Sequence, residues 1–235
     1  MISSVNQPGY HGKVTTDAQT PNGEIRTDQS GPHPKLLEVI ERQRQRVWQK
    51  PLPNHTREAV RQALNWLDAL GCPPLILDSF CGTGLSTSTL SAMHPECAVI
   101  GIDQSSHRLA KHVSADGQYL LLRAECEPFW RALVEAGIGL HRHTLFYPNP
   151  WPKAAHLQRR IHGHPGFASL IGLGGAVELR TNWGIYAKEF QLACQQWGLD
   201  GALVALENPA GMTLFERKYA ARGDTLWQFT GEKMH

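Results

Sequence analysis

The stretch from residue 75 to residue 93 constrains the fold of this chain more than any other. An apolar run ends at Asp78 and is followed by two glycines, Gly82 and Gly84, and then by the hydroxyl-rich segment 85–93. This order predicts a strand, a tight turn and a helix. Glycine in such a turn lets the backbone approach a bound nucleotide, and the start of the helix offers free N–H donors.

Two further apolar runs follow, and each is succeeded by an acid. Segment 97–103 ends at Asp103, and segment 119–123 is followed by Glu125. An acid at the tip of the second strand is the usual partner of the ribose hydroxyls of an adenosine cofactor, and open α/β sheets bind ligands at that edge. The alternative is that Asp103 and Glu125 are ordinary helix caps.

Strands and helices are predicted to alternate through the rest of the chain, which favours an α/β fold: a doubly wound, mainly parallel, seven-stranded sheet. The predicted strands are 75–78, 97–103, 119–123, 143–147, 176–181, 201–206 and 225–229, and the helices between them are 85–93, 105–112, 127–136, 165–171 and 183–197. Residues 1–31 are predicted to be a disordered tail, residues 32–71 an N-terminal helical extension, and residues 72–235 the main domain.

Composition narrows the class of protein. Apolar residues make up 41% of the chain, which suits a soluble enzyme, and no apolar run approaches the length of a membrane span. The first 31 residues lack the apolar core of a signal peptide, so a cytoplasmic location is predicted. The five cysteines form no C-x-x-C pair, which indicates neither a disulfide framework nor a zinc site. His141 and His143 alternate on a strand and are expected to face solvent or phosphate, so no metal site is predicted.

Basic residues are concentrated in two segments although the net charge is only +2. Residues 136–177 contain no Asp or Glu but include four Lys or Arg residues and five histidines. Residues 42–61 carry six basic residues against Glu58 alone. Two basic segments beside a nucleotide-type sheet indicate a polyanionic substrate, whereas a solvated helix face is the alternative for residues 42–61.

Five motifs occur in a fixed order between residues 143 and 216. They are Phe146-Tyr-Pro-Asn-Pro-Trp-Pro-Lys153, His156 with Arg159-Arg160, Gly174-Gly175, Thr181-Asn-Trp183 with Tyr186-Ala187, and Thr213-x-x-Glu216. Together with the glycine turn and Asp103, they resemble the bacterial tRNA (guanine-N7)-methyltransferases, which are S-adenosylmethionine-dependent enzymes of the Rossmann-like class I methyltransferase fold. The resemblance covers residues 75–230 and leaves the N-terminal tail outside.

The resemblance implies S-adenosyl-L-methionine as the cofactor, tRNA as the substrate, and a monomer or homodimer. The implied cofactor-binding residues are Asp78, Gly82, Gly84, Asp103, Glu125, Asn149, Thr213 and Glu216. The implied catalytic residues are Asn149, Trp151 and Asn182, and those implied to contact tRNA phosphates are Lys153, His156, Arg159 and Arg160. Thr213 and Glu216 would close over the cofactor or the base. Trp151 would shape the guanine pocket, or else pack on the sheet edge as a loop aromatic.

This chain departs from the family pattern at three positions. Asn149 and Asn182 stand where the family has aspartate, and Phe80 stands where it has glycine. A carboxylate can accept from both N1–H and the amino group of guanine, whereas an amide offers one acceptor and one donor. The sequence therefore predicts an RNA methyltransferase whose activity is weak or retargeted.

Three alternatives remain beside tRNA guanine-N7 methylation. The motifs 78–84 and 149–151 also resemble those of amino-group methyltransferases, which act on N6 of adenine, N4 of cytosine or N2 of guanine. A catalytically silent RNA-binding relative would keep the fold and the basic face. A nicotinamide dehydrogenase is disfavoured because Thr87 stands at the position of the third glycine of the dinucleotide motif.

Overall fold

A single seven-stranded sheet organises residues 25–233, the part of the chain that the computed structural model describes. The strands are β1 (Leu75–Ser79), β2 (Ala98–Asp103), β3 (Tyr119–Arg123), β4 (Arg142–Phe146), β5 (Ala176–Thr181), β6 (Leu199–Ala205) and β7 (Trp227–Lys233). Their order across the sheet is β3-β2-β1-β4-β5-β7-β6. Strand β7 is antiparallel to both of its neighbours, β5 and β6, and the other neighbouring pairs are parallel. The predicted doubly wound, mainly parallel α/β fold is confirmed.

The helices lie on both faces of this sheet. They are α1 (Leu36–Arg44), α2 (Asn54–Ala69), α3 (Leu85–Met93), α4 (Ser106–Leu109), α5 (Cys126–Glu135), α6 (Phe167–Gly172), α7 (Gly184–Gln196) and α8 (Leu214–Arg222). Two 3-10 segments, Ala154–Arg159 and Ile161–Gly163, follow β4. Within residues 25–233, no helix combines the length and apolar character that crossing a membrane requires.

The larger hydrophobic core lies between the sheet and helices α1, α2, α5, α6 and α7. Its largest buried aromatic side chains are Trp130, Phe167, Tyr186, Phe190 and Phe229. A smaller core lies on the α3 side of the sheet, where Leu90 packs with Phe146 and Met212. Every residue of β1 and β2 is buried, as expected for central parallel strands covered on both faces. The sheet edge formed by the carboxyl ends of the parallel strands is consequently held rigidly.

The N-terminal region differs from its prediction. Residues 1–24 of the predicted tail lie outside the described residues, but residues 25–31 are ordered against the main domain. Ile25 packs on the larger core. Thr27 donates a hydrogen bond to the Pro152 carbonyl, in the loop after β4, and Gln29 donates one to Glu189 in α7. The prediction of a tail extending to residue 31 is therefore wrong for residues 25–31, because their polar side chains find partners in the domain.

Helix α8 was not predicted, although its start carries a recognisable signal. Thr213 occupies the N-cap position, and its hydroxyl accepts from the Glu216 N–H at 3.0 Å. The sequence Thr-x-x-Glu is that of a capping box, which marks the beginning of a helix. The motif therefore has a structural role that family resemblance alone did not reveal.

Candidate active site

The turn after β1 adopts the conformation that its glycines were expected to permit. Gly82 and Gly84 have φ of +62° and +79°, in the left-handed region that glycine tolerates best. A Cβ on Gly84 would lie 2.5 Å from Leu121 Cδ1, so a larger residue there would have to push the Leu121 side chain aside. Phe80 also has a positive φ, of 62°, and its partly buried ring packs edge-on against Trp130. Phe80 is thus held in a backbone conformation unfavourable for a bulky residue.

Helix α3 begins at this turn with its N-terminal donors available. Gly84 is the N-cap residue, and no side chain in the described part of the chain caps the helix. The first N–H groups of an α-helix have no partner within the helix and carry partial positive charge. The start of α3 therefore offers the polar cradle that the carboxylate or phosphate of a nucleotide cofactor requires.

Asp78 is fully buried beneath the turn and does not reach the sheet edge. Its carboxylate accepts from Ser86 Oγ at 2.6 Å, Thr87 Oγ1 at 2.7 Å and Thr144 Oγ1 at 3.0 Å. Burial raises the pKa of Asp78 to about 6, against the lowering effect of these three hydrogen bonds. Asp78 therefore fastens β1 to α3 and β4. The expectation that it contacts the cofactor is wrong in this conformation, since its oxygens face the protein interior.

Asp103 lies at the tip of β2, as expected, and faces the glycine turn. Its Oδ2 accepts from the Gly82 N–H at 3.0 Å, and its Oδ1 accepts from the Ser105 N–H at 2.7 Å. Arg108 lies 2.9 Å from Oδ1. A carboxylate has about four acceptor positions, so binding of two ribose hydroxyls requires the partly exposed Arg108 side chain to withdraw.

Glu125 follows β3 and occupies the N-cap position of α5 without capping it through its side chain. The carboxylate lies 3.1 Å from Lys50 Nζ in a pair that is open to solvent. The Glu125 N–H donates to Thr56 Oγ1 at 3.1 Å, which ties α2 to this strand end. The side chain remains at the correct edge of the sheet for a cofactor contact, because an exposed ion pair is weak and readily exchanged.

The loop after β4 brings an amide, an indole and several basic groups together. Asn149 is exposed, and its Oδ1 accepts from the Trp151 N–H at 3.3 Å. Trp151 has a φ of +46°, a strained value for a bulky residue. Arg159 stacks over its ring at 5.0 Å, and His156 meets the ring edge-on at 5.5 Å.

We call Trp151, Lys153, His156 and Arg159 the basic loop surface. Lys153 and Arg159 are exposed there, as a phosphate-binding role requires. The pKa of His156 is lowered, first by burial and then by the positive charges of Arg159, Lys153 and Arg160. The structure thus brings three of the four residues predicted to contact tRNA phosphates onto one exposed surface.

Arg160 is the fourth of these residues, and its prediction is wrong. Its side chain is fully buried and lies 2.5 Å from Glu189 Oε2, in an ion pair that is shielded from water. The guanidinium also donates to the Trp151 carbonyl at 3.2 Å and stacks on Trp183. A buried charge needs such a partner, and a guanidinium committed in this way cannot reach a phosphate.

Asn182 lies just beyond β5, at the same edge of the sheet as Asn149. Its Nδ2 donates to Asp224 Oδ2 at 3.1 Å, and Asp224 is also paired with Arg222. Burial raises the pKa of Asp224, but the hydrogen bonds from Arg222 and Asn182 outweigh it and the net shift is downward. Asp224, which the sequence analysis did not identify, is therefore hydrogen-bonded directly to Asn182.

Glu216 holds α8 against the sheet instead of facing a ligand. The fully buried carboxylate accepts from Arg180 Nη1 at 3.1 Å, from Tyr147 OH at 3.2 Å, and from the N–H groups of Gly211 and Met212 at 2.9 and 3.1 Å. These donors fill its acceptor positions. The expectation that Glu216 closes over cofactor or base is wrong in this conformation, whereas the partly buried Thr213 remains near the surface as the N-cap of α8.

His143 is fully buried, which contradicts the expectation that it faces solvent or phosphate. Its Nε2 lies 2.8 Å from Ser79 Oγ, which in turn accepts from Trp130 Nε1 at 2.9 Å. Burial lowers the pKa of His143 to about 3, so the imidazole is neutral at physiological pH. His141, by contrast, is exposed as predicted.

Glu189 is a residue that sequence reasoning missed, although a signal was present. Tyr186, Phe190 and Ala193 are buried on one face of α7, and Glu189 falls on the same face. An acid on the apolar face of a helix requires a buried partner, because an unpaired charge there is very costly. Its partners, Arg160 and His162, come from the 3-10 segments and could not be paired with it from spacing alone.

A cavity of about 250 Å³ lies elsewhere, lined by Arg142, Glu178, Thr230 and neighbouring residues of β4, β5 and β7. It is at the amino end of the parallel strands, whereas Gly82, Asp103 and Asn149 lie at the carboxyl ends. Ligands in open α/β sheets bind at the carboxyl ends, so we place the candidate site there.

The residues at this edge fit S-adenosylmethionine. Gly82 has open space on its Cβ side, the start of α3 presents uncapped donors, and Asp103 and Glu125 place carboxylates at two neighbouring strand ends. These groups suit the three polar parts of such a cofactor: its carboxylate, its ribose and its adenine.

Comparison with known proteins agrees with this geometry. A family model described as "Putative methyltransferase" matches residues 73–228. A tRNA (guanine-N(7)-)-methyltransferase of Pseudomonas entomophila (strain L48) is 30% identical over 179 residues, which cover 68% of this chain and 72% of the relative. Another from Pseudomonas savastanoi pv. phaseolicola (strain 1448A / Race 6) is 26% identical over 246 residues, which cover 93% and 99%.

Solved structures show a similar fold. The antibiotic-resistance methyltransferase Kmr has a TM-score of 0.51 at 18% identity, covering 75% of this chain and 93% of that one. A mutant form of the 16S rRNA (adenine(1408)-N(1))-methyltransferase from Catenulisporales acidiphilia has a TM-score of 0.52 at 15% identity, covering 73% and 93%. At these identities the likeness concerns the fold alone.

Proposed function

Because this chain belongs to the putative methyltransferase family and is related to the bacterial tRNA (guanine-N(7)-)-methyltransferases, we propose that it methylates N7 of a guanine in tRNA. It is an S-adenosylmethionine-dependent methyltransferase. The finer assignment of substrate and atom rests on one observation: an exposed amide, Asn149, adjoins the basic loop surface at the edge of the sheet that carries Gly82 and Asp103.

The basic loop surface supports RNA as the substrate class. Lys153 and Arg159 are exposed cations beside an indole, and the surrounding segment 136–177 contains no acid. Cationic side chains that neutralise phosphates supply much of the affinity for nucleic acid, and aromatic rings stack on unpaired bases. A target base could therefore be held by Trp151 while the neighbouring phosphates contact Lys153 and Arg159.

Methyl transfer to N7 requires the protein mainly to position the base and the methyl donor. When bound, S-adenosylmethionine supplies a methyl group activated by a positively charged sulfur. Guanine N7 has an in-plane lone pair, so its attack needs no strong base. The protein must hold N7 in line with the methyl–sulfur bond and exclude water, which the rigid sheet edge and Trp151 are suited to do.

Asn149 can offer a base both a donor and an acceptor. Its Oδ1 accepts from the Trp151 N–H at 3.3 Å and keeps a second acceptor position, and its amide NH₂ is a donor. This donor suits O6 of guanine, which lies beside N7 on the same edge of the base. An amide carries no charge to stabilise the cationic 7-methylguanine product, so we expect slower turnover than an aspartate would give.

Incubation with S-adenosylmethionine and unmodified total tRNA, followed by nucleoside mass analysis, tests this proposal. We expect 7-methylguanosine. Lys153→Ala should raise the Kd for tRNA about tenfold and reduce the slope of log Kd against log salt by about 1, because one phosphate contact is lost. Lys188→Ala, which removes an exposed lysine of α7, is the matched control and should leave both values unchanged.

A second candidate function is methylation of an exocyclic amine, and Phe80 favours it. The sequence of the turn, Asp78-Ser-Phe-Cys-Gly-Thr-Gly84, resembles that of amino-group methyltransferases, and Phe80 keeps a partly exposed ring there. Those enzymes need the Asn oxygen to accept from the amine, and Asn149 Oδ1 keeps one acceptor position beside its bond from the Trp151 N–H. Detection of N6-methyladenosine, N4-methylcytidine or N2-methylguanosine in the same experiment would favour this candidate over N7 methylation.

A silent RNA-binding relative is the remaining alternative. Calorimetric titration with S-adenosylmethionine separates it from both enzymes, because a silent protein would show no binding. We expect binding that Asp103→Asn weakens by about tenfold or more, since a charge-assisted hydrogen bond to the ribose is replaced by a neutral one.

A further inference from the structure

The described N-terminal segment, residues 25–33, lies along the loop that carries Trp151 and Lys153. Thr27 Oγ1 donates to the Pro152 carbonyl at 2.9 Å, and Asp28 Oδ1 accepts from the Ala154 N–H at 3.2 Å. These partners are about 125 residues apart in the sequence. Two peptide groups of the loop are therefore held by side chains of the N-terminal segment.

Arg160 holds the preceding peptide group and adds a second bond to one of these two. It donates to the Trp151 carbonyl at 3.2 Å and to the Lys153 carbonyl at 3.5 Å. Main-chain groups of four consecutive residues, 151–154, are thus held by hydrogen bonds from outside the loop. Four consecutive residues held in this way sample fewer backbone conformations than an unsupported loop does.

A buried ion cluster anchors both parts of this arrangement. The Glu189 cluster consists of Gln29, Arg160, His162 and Glu189. Glu189 pairs with Arg160 and lies 2.9 Å from His162 Nε2, and it also accepts from Gln29 Nε2 at 3.2 Å. Gln29 Oε1 accepts from Arg160 in turn, and the His33 N–H donates to Glu189 at 2.8 Å. The N-terminal segment is consequently part of the same network that holds the loop.

The backbone of Trp151 shows why such support is needed. Its φ of +46° is unfavourable for a bulky side chain, and residues in such conformations persist only where their surroundings impose them. Arg160 binds the Trp151 carbonyl, and Thr27 binds the next carbonyl along the chain. Without these bonds, the peptide would relax and Trp151 would turn away from its position beside Arg159.

From these contacts we infer that Thr27, Asp28 and Gln29 are positioning residues for the basic loop surface: they preset the loop for RNA without touching the cofactor. The inference rests on the proposed function, since it concerns the side of the site assigned there to RNA. Thr27 and Asp28 are exposed, so their loss should leave the hydrophobic core intact. RNA binding would then have to order the loop, which weakens affinity.

The test uses the full chain with Thr27→Val and Asp28→Ala combined. Thr27→Ser with Asp28→Asn keeps a hydroxyl donor and a carbonyl acceptor and is the conservative rescue, and Ser30→Ala alters an exposed side chain of the same segment as the control. The rate of trypsin cleavage after Lys153 and Arg159 measures the conformational freedom of the loop directly. Titrations with unmodified tRNA and with S-adenosylmethionine, and thermal unfolding, complete the measurements.

We expect the disrupting pair to speed cleavage at Lys153 and Arg159 and to raise the Kd and KM for tRNA about tenfold, as the loss of two hydrogen bonds predicts. The Kd for S-adenosylmethionine, the Tm and kcat should stay close to wild type, and the rescue pair should restore cleavage and tRNA affinity. Unchanged cleavage and tRNA affinity, or equal effects of Ser30→Ala, would overturn the inference. If wild-type protein binds no tRNA while cleavage responds as expected, the proposed function fails and the positioning of the loop stands.

Discussion

At the scale of single residues, Asn149 is the side chain from which the chemistry can be altered most directly. Replacing it by aspartate should raise the rate of the proposed N7 methylation about tenfold, because a negative charge beside the base stabilises the cationic product. The Trp151 N–H at 3.3 Å would still find an acceptor, so the loop should not change. Single-turnover methyl transfer to unmodified tRNA measures the effect.

Gln158→Glu is the matched control for Asn149→Asp. It adds the same charge at an exposed position in the neighbouring 3-10 segment, but outside the loop that carries Asn149. Its effect should be a modest loss of tRNA affinity with no gain in rate. If both variants changed the rate equally, the charge at position 149 would have no specific role.

Replacing Asn182 by aspartate should destabilise the protein. Its Nδ2 lies 3.1 Å from Asp224 Oδ2, so Asn182→Asp would bring two carboxylates into contact. We expect a loss of about 1–2 kcal/mol in the free energy of unfolding at pH 7 that shrinks as the pH falls toward about 4, because one of the acids then takes up a proton. Urea unfolding at both pH values measures this, and Asn182→Ala, which removes the hydrogen bond without adding charge, should show no such pH dependence.

The positions of individual residues were predictable where one strand end determines them, as at Gly84 and Asp103. Arg160 and Glu216 were not, because the same residue types serve as surface ligands or as buried partners, and only the fold decides which. Arg160 is buried because Glu189, 29 residues away, lies opposite it. A sequence motif records that an arginine is present but carries no information about such a distant partner.

At the scale of elements, the junction of β1, α3 and β4 has a titratable group at its centre. The pKa of Asp78 is about 6 in the fold, against an ordinary value of 3.8, so the native state keeps a proton that the unfolded chain releases. Stability contributed by this group therefore falls as the pH rises from about 4 to about 6 and is constant above that range.

Asp78→Asn should remove this dependence. The amide keeps the size of the side chain and can still bond to Ser86, Thr87 and Thr144, but it does not titrate. We expect the stability of wild type relative to the variant to decrease by about 3 kcal/mol between about pH 4 and pH 7, at about 1.36 kcal/mol for each unit of pKa difference. Urea unfolding across that range measures it. A difference that stays constant with pH would show that Asp78 titrates normally.

Elements with a regular hydrophobic period were predicted well, and those held by polar contacts were not. The seven strands lie within a few residues of their predicted positions. The helical extension predicted for residues 32–71 is helical only over Leu36–Arg44 and Asn54–Ala69, and α8 was missed. Helix α8 is stabilised by its cap, Thr213, and by the bond between Glu216 and Arg180. Neither contact gives a hydrophobic periodicity from which the helix could have been predicted.

At the scale of the whole molecule, the Glu189 cluster joins the N-terminal segment, the loop after β4 and helix α7. Burial raises the pKa of Glu189, but His162 and Arg160 outweigh it and lower the value to about 2. Glu189→Gln would leave Arg160 buried without its counter-charge, and we expect a loss of about 3–5 kcal/mol in the free energy of unfolding at pH 7. The loss should diminish as the pH falls from about 4.5 toward about 2, since the wild-type acid is then protonated as well.

Urea unfolding of Glu189→Gln measures this effect. Glu38→Gln changes an exposed acid in the first turn of α1 and should alter stability by less than about 0.5 kcal/mol. A loss in Glu189→Gln no larger than that of the control would show that the cluster contributes little to folding.

The bonds between residues 27–33 and residues 151–189 also bear on how each molecule is made. A ribosome releases the N-terminal segment first, and the segment must wait for its partners until α7 has emerged. Strands β1, β2 and β3, with the glycine turn and Asp103, are complete by residue 123 and pair with one another directly. Growing chains fold from contacts that are already available. The half of the sheet proposed to face the methyl donor can therefore assemble during synthesis. The surface proposed to face RNA is finished only once the N-terminal segment has met the loop after β4 and helix α7.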